Sequence, residues 1–262
     1  MSLKYTNKLQ GKRVVIVGGT SGIGFAAAEA AVEYGAIVVV ASSRQEKVDR
    51  AVERIQKAYP SAGDRIRGKT VDLSSDDVEE QIVALFDFAT DGGKHKLHHV
   101  AETAGGTFGV MPLADVTPAA TAEVYKVRIT GCTMLAKVSM RYLENSRTSS
   151  FTLTSGVSDA KPTAGWTVMA PIGAGKRGLT HALANDMKPI RVNCVCPGAV
   201  KTELFDSFGG EGLRQILDFY TARSLINTIG APEDLAECYL CVMKNNFMTG
   251  QEITADGGFL LC

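Results

Sequence analysis

The chain has 262 residues, a formal net charge of zero and 21% charged residues. That length suits one large α/β domain, since the prior of roughly 150 residues per domain is soft, and the lack of a basic excess argues against nucleic acid as a partner. No run reaches the ~18 apolar residues of a membrane span; the polar stretch Met1–Gln10 has no apolar signal core, and six cysteines in a domain this size fit reduced thiols, so a cytoplasmic location is expected.

Taken in order, Val14–Val17 is a β-branched apolar run that predicts a buried strand. Gly18, Gly19, Gly22 and Gly24 follow, and then an alanine-rich run, Phe25–Tyr34, that predicts a helix. Strand, glycine turn and helix together aim free backbone N–H groups and a helix dipole at an anion, which points to dinucleotide binding. Ala36–Ala41 predicts a second strand and Gln45–Tyr59 a helix, with Val48, Ala51, Val52 and Ile55 at helical spacing. Arg65–Leu73 predicts a third strand, Asp76–Thr90 a helix, and Leu97–Ala101 a fourth strand running into Thr103-Ala104-Gly105-Gly106. One or two helices are expected over Thr117–Leu143, a fifth strand over Ser150–Thr154, a helix over Gly173–Met187 and a sixth strand over Ile190–Val195. Helices over Glu211–Ser224 and Pro232–Lys244 and a last strand over Gly250–Thr254 complete the pattern.

This alternation predicts a doubly wound parallel sheet of Rossmann type, with helices on both faces, as a single domain spanning residues 1–262. Thr202–Gly212 is a candidate substrate lid beside the carboxyl edge of that sheet, or else an ordinary connection. Cys194-x-Cys196 and Cys238-x-x-Cys241 have no neighbouring His and no second Cys pair at zinc spacing, so both read as core cysteines and no metal site is expected. The cluster Lys94–His99 reads as a solvated loop leading into a strand.

Several of these motifs together resemble the short-chain dehydrogenase/reductase family over nearly the whole length. Gly18–Gly24 matches T-G-x-x-x-G-I-G with Val17 in place of Thr, and places Thr20, Ser21, Gly22 and Ile23 in the cofactor turn. Asp72-Leu73 matches the pair that holds the adenine, and Thr103-Ala104-Gly105 matches the end of N-N-A-G, both Asn positions having become Glu102 and Thr103. Arg191-Val192-Asn193 through Pro197-Gly198 and Thr202, with Val200 between, matches the segment that contacts the nicotinamide carboxamide. Asp256-Gly257-Gly258 matches the terminal D-G-G. The resemblance implies a cofactor cleft, a small-molecule substrate and a homo-oligomer, dimer or tetramer. Cofactor choice follows from charge. An acid at the end of the second strand would favour a ribose 2′-hydroxyl and repel a 2′-phosphate. This chain has Ser42-Ser43-Arg44 there, two hydroxyls and a guanidinium, so NADP(H) is expected.

The family works with Ser, Tyr, Lys and an assisting Asn. Here Ile172-Gly173-Ala174-Gly175-Lys176 occupies the Y-x-x-x-K segment, so Lys176, which in the family binds the nicotinamide ribose, stands without the Tyr. The Asn position falls on Arg128, and the Ser position on Ser155, with Ser158 as the alternative. Isoleucine has no proton to give, so the usual acid–base step does not run. Three readings follow: an NADPH reductase of an imine, iminium or similarly activated metabolite; a non-redox member, a cyclase or isomerase that keeps the cleft; or a cofactor-bound scaffold or sensor. Lys161–Trp166, K-P-T-A-G-W, together with Arg128 resembles the fungal reductases that also act as Diels–Alderases in prenylated indole alkaloid pathways. Those carry P-D-P-G-W; Pro162, Gly165 and Trp166 match, while Thr163 stands at their functional Asp and Ala164 at their second Pro. Trp166 is read either as the wall of a flat aromatic pocket or as a packing residue.

Overall fold

The computed structural model describes residues 4–105, 109–205 and 209–262. The elements are β1 (Arg13–Val17), α1 (Gly22–Glu33), β2 (Ile37–Ser42), α2 (Gln45–Ala58), β3 (Ile66–Thr70), α3 (Val78–Ala89) and β4 (His99–Glu102). They continue as α4 (Pro118–Tyr125), α5 (Cys132–Tyr142), β5 (Ser150–Thr154), α6 (Ala170–Asp186), β6 (Arg191–Pro197), α7 (Gly210–Thr221), α8 (Pro232–Lys244) and β7 (Glu252–Ala255). Among the described residues the strands form one parallel sheet in the order β3-β2-β1-β4-β5-β6-β7.

Strand residues alternate between two faces, and the core divides accordingly. Val14, Ile16, Val38 and Val40 pack against α1, α2 and α8. Val15, Val17, Val39 and Val100 pack against α3 and α5, with Leu179 and Leu183 of α6 closing that face. With both faces covered, β1 and β2 need apolar residues at successive positions through Val14–Val17 and Ile37–Ala41, which is why these stretches read as apolar runs. The chain leaves β1 toward β2 on one side and reaches β4 on the other, so a topological switch point opens between β1 and β4 at their carboxyl ends.

Several expected boundaries move. The third strand stops at Thr70 rather than Leu73: Val71 still donates its N–H to the Ser42 carbonyl (3.0 Å), but Asp72 then accepts hydrogen bonds from the Ser74 backbone N–H (2.8 Å) and hydroxyl (2.6 Å), a local turn that takes the chain off the sheet. The helix read from Gly173 starts at Ala170, Pro171 occupying its first turn, where a missing N–H costs nothing. The span Thr117–Leu143 is two helices joined by a π-type turn, Lys126–Gly131. Cys194 and Cys196 are buried as expected, but Cys241 is exposed and Cys238 half-buried, since α8 turns Leu235, Tyr239, Leu240 and Val242 to the core instead. In Lys94–His99 only the first residues are solvated: His99 is buried in β4 with Nδ1 2.9 Å from the Ser150 hydroxyl, and burial holds its pKa well below the ordinary value.

Candidate active site and cofactor cleft

The glycine-rich turn sits where β1 ends. Gly18 donates from its N–H to the Ala41 carbonyl (2.8 Å) and has φ +90°, and a Cβ there would lie 2.6 Å from the Ala104 nitrogen. A Cβ on Gly24 would overlap Thr103 Oγ1 and the Gly18 carbonyl, so β1, α1 and the end of β4 meet backbone to backbone. Thr103 secures this junction, donating from its N–H (2.8 Å) and its hydroxyl (3.1 Å) to the Val17 carbonyl.

The α1 N-terminus makes no side-chain cap hydrogen bond at Ser21 and has no acid in its first turn. The Gly22 N–H instead donates to the Glu203 carboxylate at 2.9 Å. A carboxylate has thus settled where a helix N-terminus favours a phosphate, which fits the residues present to a dinucleotide. Ser42 ends β2 one position beyond the Val17–Ala41 pair, and exposed Arg44 is the N-cap of α2, so a guanidinium stands beside a second helix N-terminus.

On the other side of the switch point, Gly198 donates to the Ala255 carbonyl (2.9 Å), and a Cβ there would meet Asp256 at 2.7 Å. Val200 bridges to Gly230, and the Thr202 side chain lies within about 3 Å of a Cβ on Gly22, so this segment folds back over the glycine turn. Within the candidate lid Thr202–Gly212, residues 206–208 lie outside the described residues, as does Gly106 after β4. Arg191 and Asn193, read as the start of the nicotinamide segment, bond carbonyls of Val242, Met243 and Met248 instead and tie β6 to the end of α8, away from the cleft.

The side chains matched to the catalytic positions converge on α6. Lys176 is 2% exposed and its Nζ lies 2.5 Å from Oε2 of Glu102, which is 0% exposed. Burial pushes the ammonium down, and the Glu102 charge outweighs it, so the Lys176 pKa is raised. Ile172 lies one turn before Lys176 and is buried. The Ser155 hydroxyl donates to the Gly173 carbonyl at 3.2 Å, which puts Ser155 next to the residue that follows Ile172. Arg128 sits in the π-type turn, its guanidinium against Gly105, where burial lowers its pKa and the Glu102 charge opposes the fall; such turns interrupt helices at functional sites. Thr163 is exposed and Trp166 half-buried, in a turn closed by Trp166 N–H to the Thr163 carbonyl (3.2 Å). The Gly165 carbonyl accepts from the Met111 N–H (3.0 Å), and Lys161 donates to the Phe259 carbonyl (3.0 Å), so this strap is pinned at both ends.

Asp72 is held in its local turn, and Leu73 backs onto Gly131 at the end of the π-type turn. Glu102 is the side chain that sequence reading passes over as a mere replacement of Asn. Its signal is an acid closing a strand, His99–Glu102, whose every residue is buried.

Among the described residues, a sheet of seven parallel strands with a glycine turn and, at the switch point, a helix N-terminus that its own N-cap side chain leaves open defines a dinucleotide-binding fold. The SDR-like Rossmann domain family matches residues 5–262, and the chain belongs to the short-chain dehydrogenase/reductase family; it is an NAD(P)H-dependent oxidoreductase of that type. It is 45% identical over 263 residues to the short-chain dehydrogenase/reductase ucsE of Acremonium sp., covering all of both chains. It is similar to the structure of the MalC reductase/Diels–Alderase of Malbranchea aurantiaca at 36% identity and a TM-score of 0.92, covering 99% of this chain and 100% of that one. A small-chain dehydrogenase solved in complex with NADPH is 28% identical, with a TM-score of 0.78 over 97% of this chain and 100% of that one.

Proposed function

We propose that the chain reduces an imine, iminium or similarly activated carbon of a small secondary metabolite, with NADP(H) as its cofactor. The reading rests chiefly on Ile172, a buried side chain with no proton to donate, one turn before Lys176 on α6. When bound, NADPH supplies a hydride. On an iminium carbon the new C–H bond sends the π electrons to nitrogen and leaves a neutral amine that needs no proton, whereas a carbonyl becomes an oxyanion that does. Lys176 holds the nicotinamide ribose, Arg128 and Ser155 orient the polar end of the substrate, and Thr163 and Trp166 line its apolar part. Ser42, Ser43 and Arg44 take the 2′-phosphate, which selects NADPH over NADH. Alkaloid-type metabolism, a cytoplasmic location and a homodimer or homotetramer complete the reading; no described helix is long and apolar enough to cross a membrane.

A second reading, cyclisation without redox change, is favoured by the similarity to a protein described as reductase and Diels–Alderase. Its weak point is Thr163, which offers a hydroxyl where those relatives carry a carboxylate. Absorbance-followed NADPH oxidation across a panel of imines and ketones separates the readings. The parent should reduce imines and leave simple ketones untouched. Ile172→Tyr, which puts a phenol four residues before Lys176 on one helix face, should add ketone or alcohol activity. Tight NADPH binding with no oxidation on any activated substrate would put the non-redox reading first, and efficient ketone reduction by the parent would overturn the account of Ile172.

A further inference from the structure

We propose that Glu102 is a positioning residue that holds Lys176 as a fixed ammonium at the base of the cofactor cleft, a function beyond the four catalytic positions matched above. The proposal rests on the reading of Lys176 as the residue that meets the nicotinamide ribose. Glu102 ends β4 directly opposite Val17 of β1, the residue before the glycine turn, so its carboxylate lies at the switch point. Both partners are buried, at 2.5 Å. An ammonium taken out of water and left alone loses its proton readily; paired, it keeps both charge and direction.

The other titratable groups facing the pair come from α5, β6, α8 and the π-type turn, and none competes with Glu102 for the ammonium. Burial pushes the Cys132 thiol of α5 up, the contact with Cys196 and burial push the Cys194 thiol of β6 up, and burial pushes the Tyr239 phenol of α8 up, so all three stay neutral around neutral pH. Arg128 adds a second cation near the carboxylate. Glu102 Oε1 is buried and makes no hydrogen bond of ordinary geometry, the Cys132 thiol facing the carboxylate, so the group is committed to electrostatics with its cations rather than to a satisfied network of its own. The Lys176 ammonium has three N–H donors and gives one to Glu102, which leaves donors for a ribose hydroxyl.

The sign of the pH dependence follows from the pairing. With its folded-state pKa raised, Lys176 contributes stability that is present below its ordinary value of 10.5 and lost as pH climbs past it. In Glu102→Gln the unpaired ammonium has a depressed pKa, so stability rises with pH between that lowered value and 10.5. The test is NADPH affinity by fluorescence titration between about pH 7 and 10, alongside thermal unfolding of the cofactor-free protein over the same range. Parent affinity should stay level to about pH 9, whereas Glu102→Gln should lose about ten-fold between pH 7 and 9 as Lys176 sheds its proton. Glu102→Asp, which keeps the charge, should restore the parent's pH midpoint, and it carries the test if Glu102→Gln does not fold. An affinity loss that is uniform in pH, or a Glu102→Asp midpoint displaced as far as that of Glu102→Gln, would overturn the proposal and leave a merely structural role. A shifted unfolding profile with unchanged NADPH affinity would also overturn it, by removing Lys176 from the cleft. Failure of the parent to bind NADPH at any pH would overturn the cleft reading itself, while the apo unfolding profile still reports on the pair.

Discussion

The glycine-rich rim and the buried centre of the cleft lie at the ends of adjacent strands, β1 and β4, yet different forces hold them. Around Gly18–Gly24 the backbone does the work: N–H groups, a helix N-terminus and close approaches that leave no room for a Cβ. Around Glu102 and Lys176 the work is done by side chains, a carboxylate from β4 meeting an ammonium from α6 in a dry interior. A backbone constraint of the first kind is visible in a chain read singly, because only glycine satisfies it. A pair of the second kind joins residues 74 positions apart and has meaning only after folding. It also leaves the chemistry free to differ while the binding frame stays the same.

The sharpest way to break that comparison is to remove one partner of the pair. Lys176→Met leaves the Glu102 carboxylate buried without its cation, and breaking such a pair costs about 3–5 kcal/mol. Chemical denaturation should show a loss of that size together with a raised dissociation constant for NADPH. A variant with unchanged stability would mean that the centre is solvated and no different in kind from the rim.

The rim is tested by volume instead of charge. Gly24→Ala forces a Cβ onto Thr103 and the Gly18 carbonyl, and overpacking of this sort costs about 1–3 kcal/mol; NADPH binding should fall with it. Gly178→Ala on α6, where a Cβ meets nothing within 4 Å, should instead gain up to about 1 kcal/mol from helix propensity. Equal effects at the two sites, read by thermal unfolding, would show that the rim glycines are ordinary.

Much of the fold was legible for the same reason as the rim. Ser150–Thr154 and Pro232–Lys244 match their observed elements at both ends, because a β-branched and aromatic run and a proline-started amphipathic run each carry their own signal. The π-type turn at Lys126–Gly131 was not legible, since its residues have no helix-breaking character and only the approach of Arg128 to Gly105 gives it a purpose. Nor was Glu102, whose partner is named by topology rather than by spacing. Arg191 shows the reverse: a motif residue whose guanidinium bonds the Arg147 and Val242 carbonyls, a structural tie that the motif does not announce.

Cofactor choice sharpens the comparison at the rim's outer edge. Arg44 is exposed and beside the α2 N-terminus, and a hydrogen bond to a charged group is worth about 1.5–3 kcal/mol. Arg44→Asp should therefore weaken NADPH binding by that amount and spare NADH. Equal affinity of the parent for the two cofactors would remove Arg44 from the phosphate site.

The smallest expected effect concerns Glu203, whose carboxylate gives the rim a negative charge at the α1 N-terminus. Its carboxylate accepts from the Gly22 N–H at 2.9 Å, on the amides that a dinucleotide phosphate would use. A carboxylate and a phosphate cannot share one helix end without repulsion, so Glu203 must withdraw when the cofactor enters. Glu203→Gln keeps the size and one acceptor but removes the charge. It should tighten NADPH binding about two- to five-fold, matching the ~0.3–1 kcal/mol of an exposed charge at a helix terminus. Because Glu203 is exposed, the gain should shrink as salt rises and the Debye length falls from about 30 Å at 0.01 M to about 10 Å at 0.1 M. Fluorescence titrations at the two salt concentrations measure it. Weaker binding by Glu203→Gln would reverse the assignment: the carboxylate would then be holding Thr202 and its segment over the bound cofactor, and the rim would depend on a side chain as much as the centre does.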